Sequence, residues 1–142
     1  MTLRSTQIFV NLHVKDVARS MAFFTELGFD FDMQFTDKEQ AACLIIGDNM
    51  YAMLLREDYF KTFTKREIVD TDKYAQLTVA LAAESRAKVD EIVNKAVAAG
   101  GKVYADPVDH GFMYQWGFQD PDGHIWEIGY MDMSAFEGQQ RV

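Results

Sequence analysis

The stretch that decides the fold is Asp120-Pro121-Asp122-Gly123-His124-Ile125-Trp126-Glu127-Ile128-Gly129-Tyr130. Asp-Pro-Asp-Gly is a turn with a mechanism. Pro121 presets its φ, Asp120 and Asp122 can accept from nearby backbone N–H groups, and Gly123 tolerates positive φ. The β-formers that follow read as a strand, and residues 112–119 before the turn read as another, so the unit is a hairpin. Period-two alternation places Glu127 on the opposite face from Trp126 and Ile128. A carboxylate there either faces water, which is the plain reading, or lines a polar cavity.

Outward from the hairpin, the chain repeats itself. Residues 76–81 form a strand, with Leu77, Val79 and Leu81 on one face and Gln76, Thr78 and Ala80 on the other. Ser85 starts a helix with the apolar stripe Val89, Ile92, Val93, Ala96, and Gly100-Gly101 ends it. Residues 102–105 form a strand, and a loop at Pro107 leads back to the hairpin. The first half has the same order. Residues 8–14 alternate, with Ile8, Val10, Leu12 and Val14 on one face and Phe9, Asn11 and His13 on the other. Asp16 caps a helix over residues 17–27 that stops at Gly28. Strands at 29–35, 41–46 and 50–55 follow. Strand, helix and three strands thus recur at an offset of about 70 residues. The expected organisation is one domain with module one at about 6–55, module two at about 75–131 and a C-terminal tail at 132–142. Between the modules, at about 56–74, lies a connector dense in both charge signs. Tyr59, Phe60 and Phe63 stand there at helical spacing, which predicts order and a short helix.

Composition narrows the function. The 142 residues carry 49% hydrophobic and 25% charged side chains, ordinary for a globular domain. A net charge of −8 argues against nucleic acid as a partner. The single cysteine, Cys43, provides no disulfide framework and reads as a small hydrophobe in a strand. No apolar run reaches membrane-span length, and the N-terminus lacks signal-peptide architecture. A cytoplasmic protein with no membrane partner is the expectation. Gly100-Gly101 follows a helix instead of opening one, so it is no phosphate cradle. No spacing supports a Ser-His-Asp or Cys-His constellation.

Two segments carry a family resemblance: Val14, Asp16, Ser20, Phe23, Phe24 and Leu27–Phe29 in the first helix region, and Phe118 to Glu127 (F-x-D-P-D-G-x-x-x-E) in the last hairpin. With the repeat, they resemble the vicinal oxygen chelate superfamily of glyoxalases, bleomycin-resistance proteins and extradiol dioxygenases. The resemblance implies an α+β fold: two βαβββ modules forming one curled mixed sheet around a cavity, with helices outside. Metal enzymes of that family place His and Glu ligands on the first and last strands of each module. The matching positions here are Phe9, Met53, Gln76 and Glu127. Only Glu127 keeps the ligand type. Phe cannot bind an ion, Met is a poor partner for hard or borderline cations, and Gln offers one oxygen.

The expectation is therefore a small-molecule binding protein without a family-type metal site and without a cofactor. Its cavity is to be lined by Phe9, Asn11, Met53, Gln76, Thr78, Met113 and Trp116, an apolar wall with a few polar groups. Two enzymatic alternatives stand beside it. One is a glyoxalase-like lyase or extradiol-type dioxygenase whose divalent metal is held by a rearranged set of His13, Gln76 and Glu127. The other is a metal-free lyase or isomerase in which Glu127 and His13 act as an acid/base pair. The alternative role for His13 is a hydrogen-bonded structural histidine. His110 reads as a turn residue and His124 as exposed. The acidic balance disfavours an anionic ligand unless Lys61, Lys65 or Arg66 closes over the cavity. The resemblance also implies a homodimer, for which apolar surface at Phe60 or around Phe136 is the candidate.

Overall fold

A computed structural model describes residues 2–135. The expected C-terminal tail beyond residue 135, with the candidate apolar surface around Phe136, lies outside them. The chain divides into two compact units, Met1–Asp70 and Thr71–Val142. The class is α+β; the first unit runs strand, helix, three strands, and the second runs strand, helix, four strands. The strands are hydrogen-bonded as two mixed sheets, one of four strands and one of five. Among the described residues no helix is long and apolar enough to cross a membrane.

In the first unit, β1 (Ile8–Val14) leads into α1 (Val17–Leu27), then β2 (Asp30–Phe31), β3 (Ala41–Gly47) and β4 (Met50–Arg56). The sheet order is β1-β4-β3-β2, with β1 parallel to β4. Asp16 caps α1 by accepting the Arg19 N–H at 3.1 Å. Gly28 ends it at φ +103°, a left-handed conformation that a side chain would strain. The helix buries Val17, Phe23, Phe24 and Leu27, and Leu12, Leu44, Ala52 and Leu54 are fully buried in the sheet. Complete burial of a Leu or Phe side chain contributes about 1.5–3 kcal/mol.

One strand expectation is corrected here. The strand expected at residues 29–35 is only Asp30–Phe31. Asp32 then accepts the Gln34 N–H and turns Met33–Phe35 into a 3-10 helix, because a short acceptor side chain competes with the ladder for backbone donors. The connector contains α2 (Glu57–Phe60), a single turn. Residues 61–77 hold no helix or strand.

In the second unit, β5 (Thr78–Ala82) leads into α3 (Arg86–Ala98), then β6 (Lys102–Val103), β7 (Val108–Asp109), β8 (Met113–Gln119) and β9 (Ile125–Met131). The order is β5-β9-β8-β6, with β7 also paired to β8. Ser85 caps α3 on the Lys88 N–H at 3.0 Å. The strand expected at 102–105 is cut to two residues. β6 meets Phe118 and Gln119, β7 meets Tyr114 and Gln115, and the ladder is broken between them. Pro107, which has no N–H to donate, lies in the break.

Asp120 organises the hairpin. Its carboxylate accepts the Asp122 N–H at 2.9 Å, the His124 N–H at 3.1 Å and the Trp126 indole N–H at 3.0 Å. Gly123 sits at φ +85°, and a Cβ there would stand 2.6 Å from the Thr71 carbonyl oxygen. Trp126 is fully buried and stacked on Phe118. Burial pushes the Asp120 carboxyl up, while His124 and the Trp126 N–H pull against it. His124 is 3% exposed, not exposed as expected. The compact turn draws it inward with the backbone that Asp120 holds.

Candidate functional site

The face of the second sheet opposite Trp126 and Ile128 carries Glu127. Its cross-strand neighbours are Ala80 on β5 and Gly117 on β8. One step along, Gly129 lies between Ala82 and Gln115. Four of these positions have one side-chain carbon or none, so the two long polar side chains stand above a low floor. A hollow of about 430 Å³ opens there, lined by Ala80, Leu81, Ala82, Met113, Gln115, Glu127, Gly129, Tyr130 and Met131. A smaller one of about 210 Å³ adjoins it where the ladder breaks at Pro107, and includes Asp106, Val108, His110 and Trp116. Glu127 and Gln115 line both.

Both polar groups are half-buried. Among the described residues, neither the Glu127 carboxylate nor the Gln115 amide has a hydrogen bond or ion pair to another side chain or to the backbone. Both groups are thus open at the hollow, with no bond to another described residue. The surroundings are fastened down. Arg86 at the start of α3 donates to Asp109 at 2.6 Å and to the Gly111 carbonyl at 2.9 Å, with its guanidinium 5.4 Å from the Tyr114 ring centroid. The Gly111 N–H, followed by Arg86, holds the Asp109 carboxyl below the usual range. Tyr114 donates to Asp90 at 2.6 Å, a bond that pushes its phenol up to about 12.

The residues expected from sequence fall into separate groups. Glu127 and Met113 line the larger hollow. Trp116 borders the smaller one, although alternation puts it on the face of Tyr114 and Phe118. The Pro107 break lets its indole N–H reach the Ala105 carbonyl at 2.8 Å. Thr78 is exposed on β5 and lies outside both linings. Gln76 is a correction: it precedes β5 in an exposed bend and is not on a strand. β5 begins only where its ladder to Ile125 does.

Phe9, Asn11 and Met53 lie together on the first unit's sheet. Phe9 pairs with Tyr51 and stacks on it at 4.9 Å, and Asn11 pairs with Met53. His13 is on the same face but 3% exposed. Its Nδ1 is 3.6 Å from Glu57 Oε1, and the Phe60 ring meets it edge-on at 5.6 Å. Phe60 is thus half-buried, with its ring edge-on to His13. Cys43, on β3, is buried, and burial pushes its thiol up.

Gln115, Ala80, Ala82 and Gly129 were not expected as lining residues. Alternation contained the signal for Gln115, which has the parity that places it on Glu127's face once the hairpin register is known.

The family model for the Glyoxalase/Bleomycin resistance protein/Dioxygenase superfamily matches residues 6–128, and the chain belongs to this superfamily. Among solved structures it is similar to a hypothetical protein from S. aureus, at 25% identity and a TM-score of 0.75, with 92% of this chain and 95% of that one covered. It is also similar to a glyoxalase/bleomycin resistance protein/dioxygenase family enzyme from Burkholderia phytofirmans PsJN (18% identity, TM-score 0.73, 87% and 96% covered). A third is a lactoylglutathione lyase from Agrobacterium tumefaciens (17%, 0.67, 93% and 98%). The latter two likenesses show the fold alone. No functionally curated protein matches the chain.

The four positions expected from the resemblance do not make up an ion site. Phe9 and Met53 supply no suitable donor, Gln76 is off the strand, and Glu127 is the one carboxylate of the four. Among the described residues, no group of three or more His, Cys, Asp or Glu could hold one.

Proposed function

We propose that the protein binds a small, largely apolar or aromatic molecule on the open face of the second unit's sheet, without a family-type metal ion. One observation carries this reading: the unpartnered Glu127 carboxylate and Gln115 amide stand in an otherwise apolar hollow of about 430 Å³, a size and lining suited to a small ligand. Met113 and Met131 supply adaptable apolar walls. A second reading, a metal-free lyase or isomerase, is favoured by the same carboxylate, which no donor among the described residues holds and which could take a proton from a bound molecule.

The test is a thermal-shift screen of aromatic amines, phenols and heteroaromatic antibiotics after dialysis against EDTA, with calorimetry on the hits and elemental analysis of the protein. Binding is expected to survive EDTA and to weaken about ten-fold or more in Glu127→Ala, as loss of one charge-assisted hydrogen bond predicts. Near-stoichiometric nickel, zinc, manganese or iron in the wild type that vanishes in Glu127→Ala would contradict the proposal.

A further inference from the structure

Two glycines face the floor beside Glu127 for different physical reasons. At Gly117 an added Cβ would stand 2.7 Å from the Trp126 carbonyl oxygen, so the backbone of β9 excludes a side chain there. At Gly129 the nearest atom to an added Cβ is the Tyr114 carbonyl oxygen at 3.9 Å, an ordinary contact. Its φ is not positive either. Neither the backbone nor the packing requires glycine at position 129. A strand glycine weakens the strand, and it marks close approach of a ligand or another backbone. Its effect here is to keep the floor flat between Ala82 and Gln115.

The charge around the hollows is one-sided. Among the described residues, no lysine or arginine lines either of them. The carboxylates that line them are Glu127, shared by both, and Asp106 in the smaller, which also has the exposed imidazole of His110. Among the described residues, the Asp106 carboxylate has no hydrogen-bond or ion-pair partner. Asp109 nearby is already taken by Arg86 and the Gly111 N–H. Among the described residues, a ligand carboxylate or phosphate would meet two negative groups and no lysine or arginine in either lining, whereas an ammonium group would meet both with favourable sign.

From these observations we infer that the ligand is a flat aromatic ring with a cationic arm. The ring lies on Gly129, Ala80 and Ala82 in the larger hollow. The arm passes between Gln115 and Glu127 and ends beside Asp106 in the smaller one. This inference rests on the small-molecule reading above and adds the ligand's shape and charge.

Three matched probes test it: indole, tryptamine with an ammonium arm, and indole-3-propionate with a carboxylate arm, each titrated by calorimetry and by amide NMR. Tryptamine is expected to bind about ten-fold or more tightly than indole, and indole-3-propionate no more tightly than indole. Asp106→Asn is expected to erase the tryptamine advantage and leave indole unchanged. Gly129→Ala, for which the backbone has room, is expected to weaken all binding roughly three-fold, and Gly129→Val more than about ten-fold, at unchanged circular dichroism.

Equal affinity for indole and tryptamine, or a tryptamine advantage that survives Asp106→Asn, overturns the ring-and-arm inference and leaves the small-molecule reading standing. Binding that ignores both Gly129 variants overturns the floor. If none of the three probes binds, the inference falls, and the broader reading is decided separately by the ligand panel.

Discussion

On the first unit's sheet, the face opposite α1 carries large side chains, of which Phe9 stays 48% exposed. Phe9 lies stacked on Tyr51, Met53 pairs with Asn11, and α2 covers His13 with Glu57 and Phe60. On the second unit's sheet, the face opposite α3 holds Ala80, Ala82, Gly117 and Gly129 around Glu127 and Gln115. The two sheets share their strand order up to the break at Pro107. With one strand order in both, the two faces differ in side-chain volume. Burying a polar group is costly; Glu127 stays half-exposed at the hollow, whereas His13 is buried beside Glu57 and the Phe60 ring.

The largest effect expected from breaking this contrast comes from the second unit's core. Trp126→Ala removes a fully buried indole and its bond to Asp120. It should cost about 3–5 kcal/mol in urea unfolding and abolish the hollow with the fold. Next is a pair of substitutions that separates the faces. Gly129→Val should weaken ligand binding by about 1.4 kcal/mol or more, a ten-fold change in Kd, with the melting temperature nearly unchanged. Phe9→Ala should leave binding as it is, and calorimetry on both variants decides whether the first unit's face matters.

Tyr114→Phe sharpens the account of the scaffold. Its phenol bond to Asp90 raises the folded-state value to about 12 from an ordinary value near 10. The bond's contribution is therefore complete below pH 10 and lost as pH rises through 12. The variant should be about 1 kcal/mol less stable at pH 8, and the difference from wild type should shrink between pH 10 and 12. The smallest expected effect on stability belongs to Glu127→Gln, within about 0.5 kcal/mol in the same unfolding measurement, because no protein partner is lost.

Much of this was legible in the sequence. The Asp16 cap, the Gly28 stop and the limits of α1 at Val17–Leu27 follow from local chemistry that tertiary contacts leave intact. The Asp120 turn was equally readable, and alternation alone separated Glu127 from Trp126. The rest depended on pairing. β2 stops at Phe31 because Asp32 accepts the Gln34 N–H, a competition that alternation does not register. Gln76 fell off β5 because its ladder begins at Thr78. His124 was read as exposed because the burial of the Asp120 turn is a tertiary fact. The smaller hollow was signalled by Pro107, but its depth depends on which residues of β8 that break leaves without a partner strand.

The most direct test is amide NMR mapping of the tightest ligand from the panel, in buffer treated with EDTA and again with added zinc or nickel. The account predicts saturable shifts at Ala80, Ala82, Gln115, Glu127 and Gly129 without metal, and no gain in affinity on adding it. Shifts confined to Phe9, Asn11, Tyr51 and Met53, or binding that appears only with the metal, would contradict it.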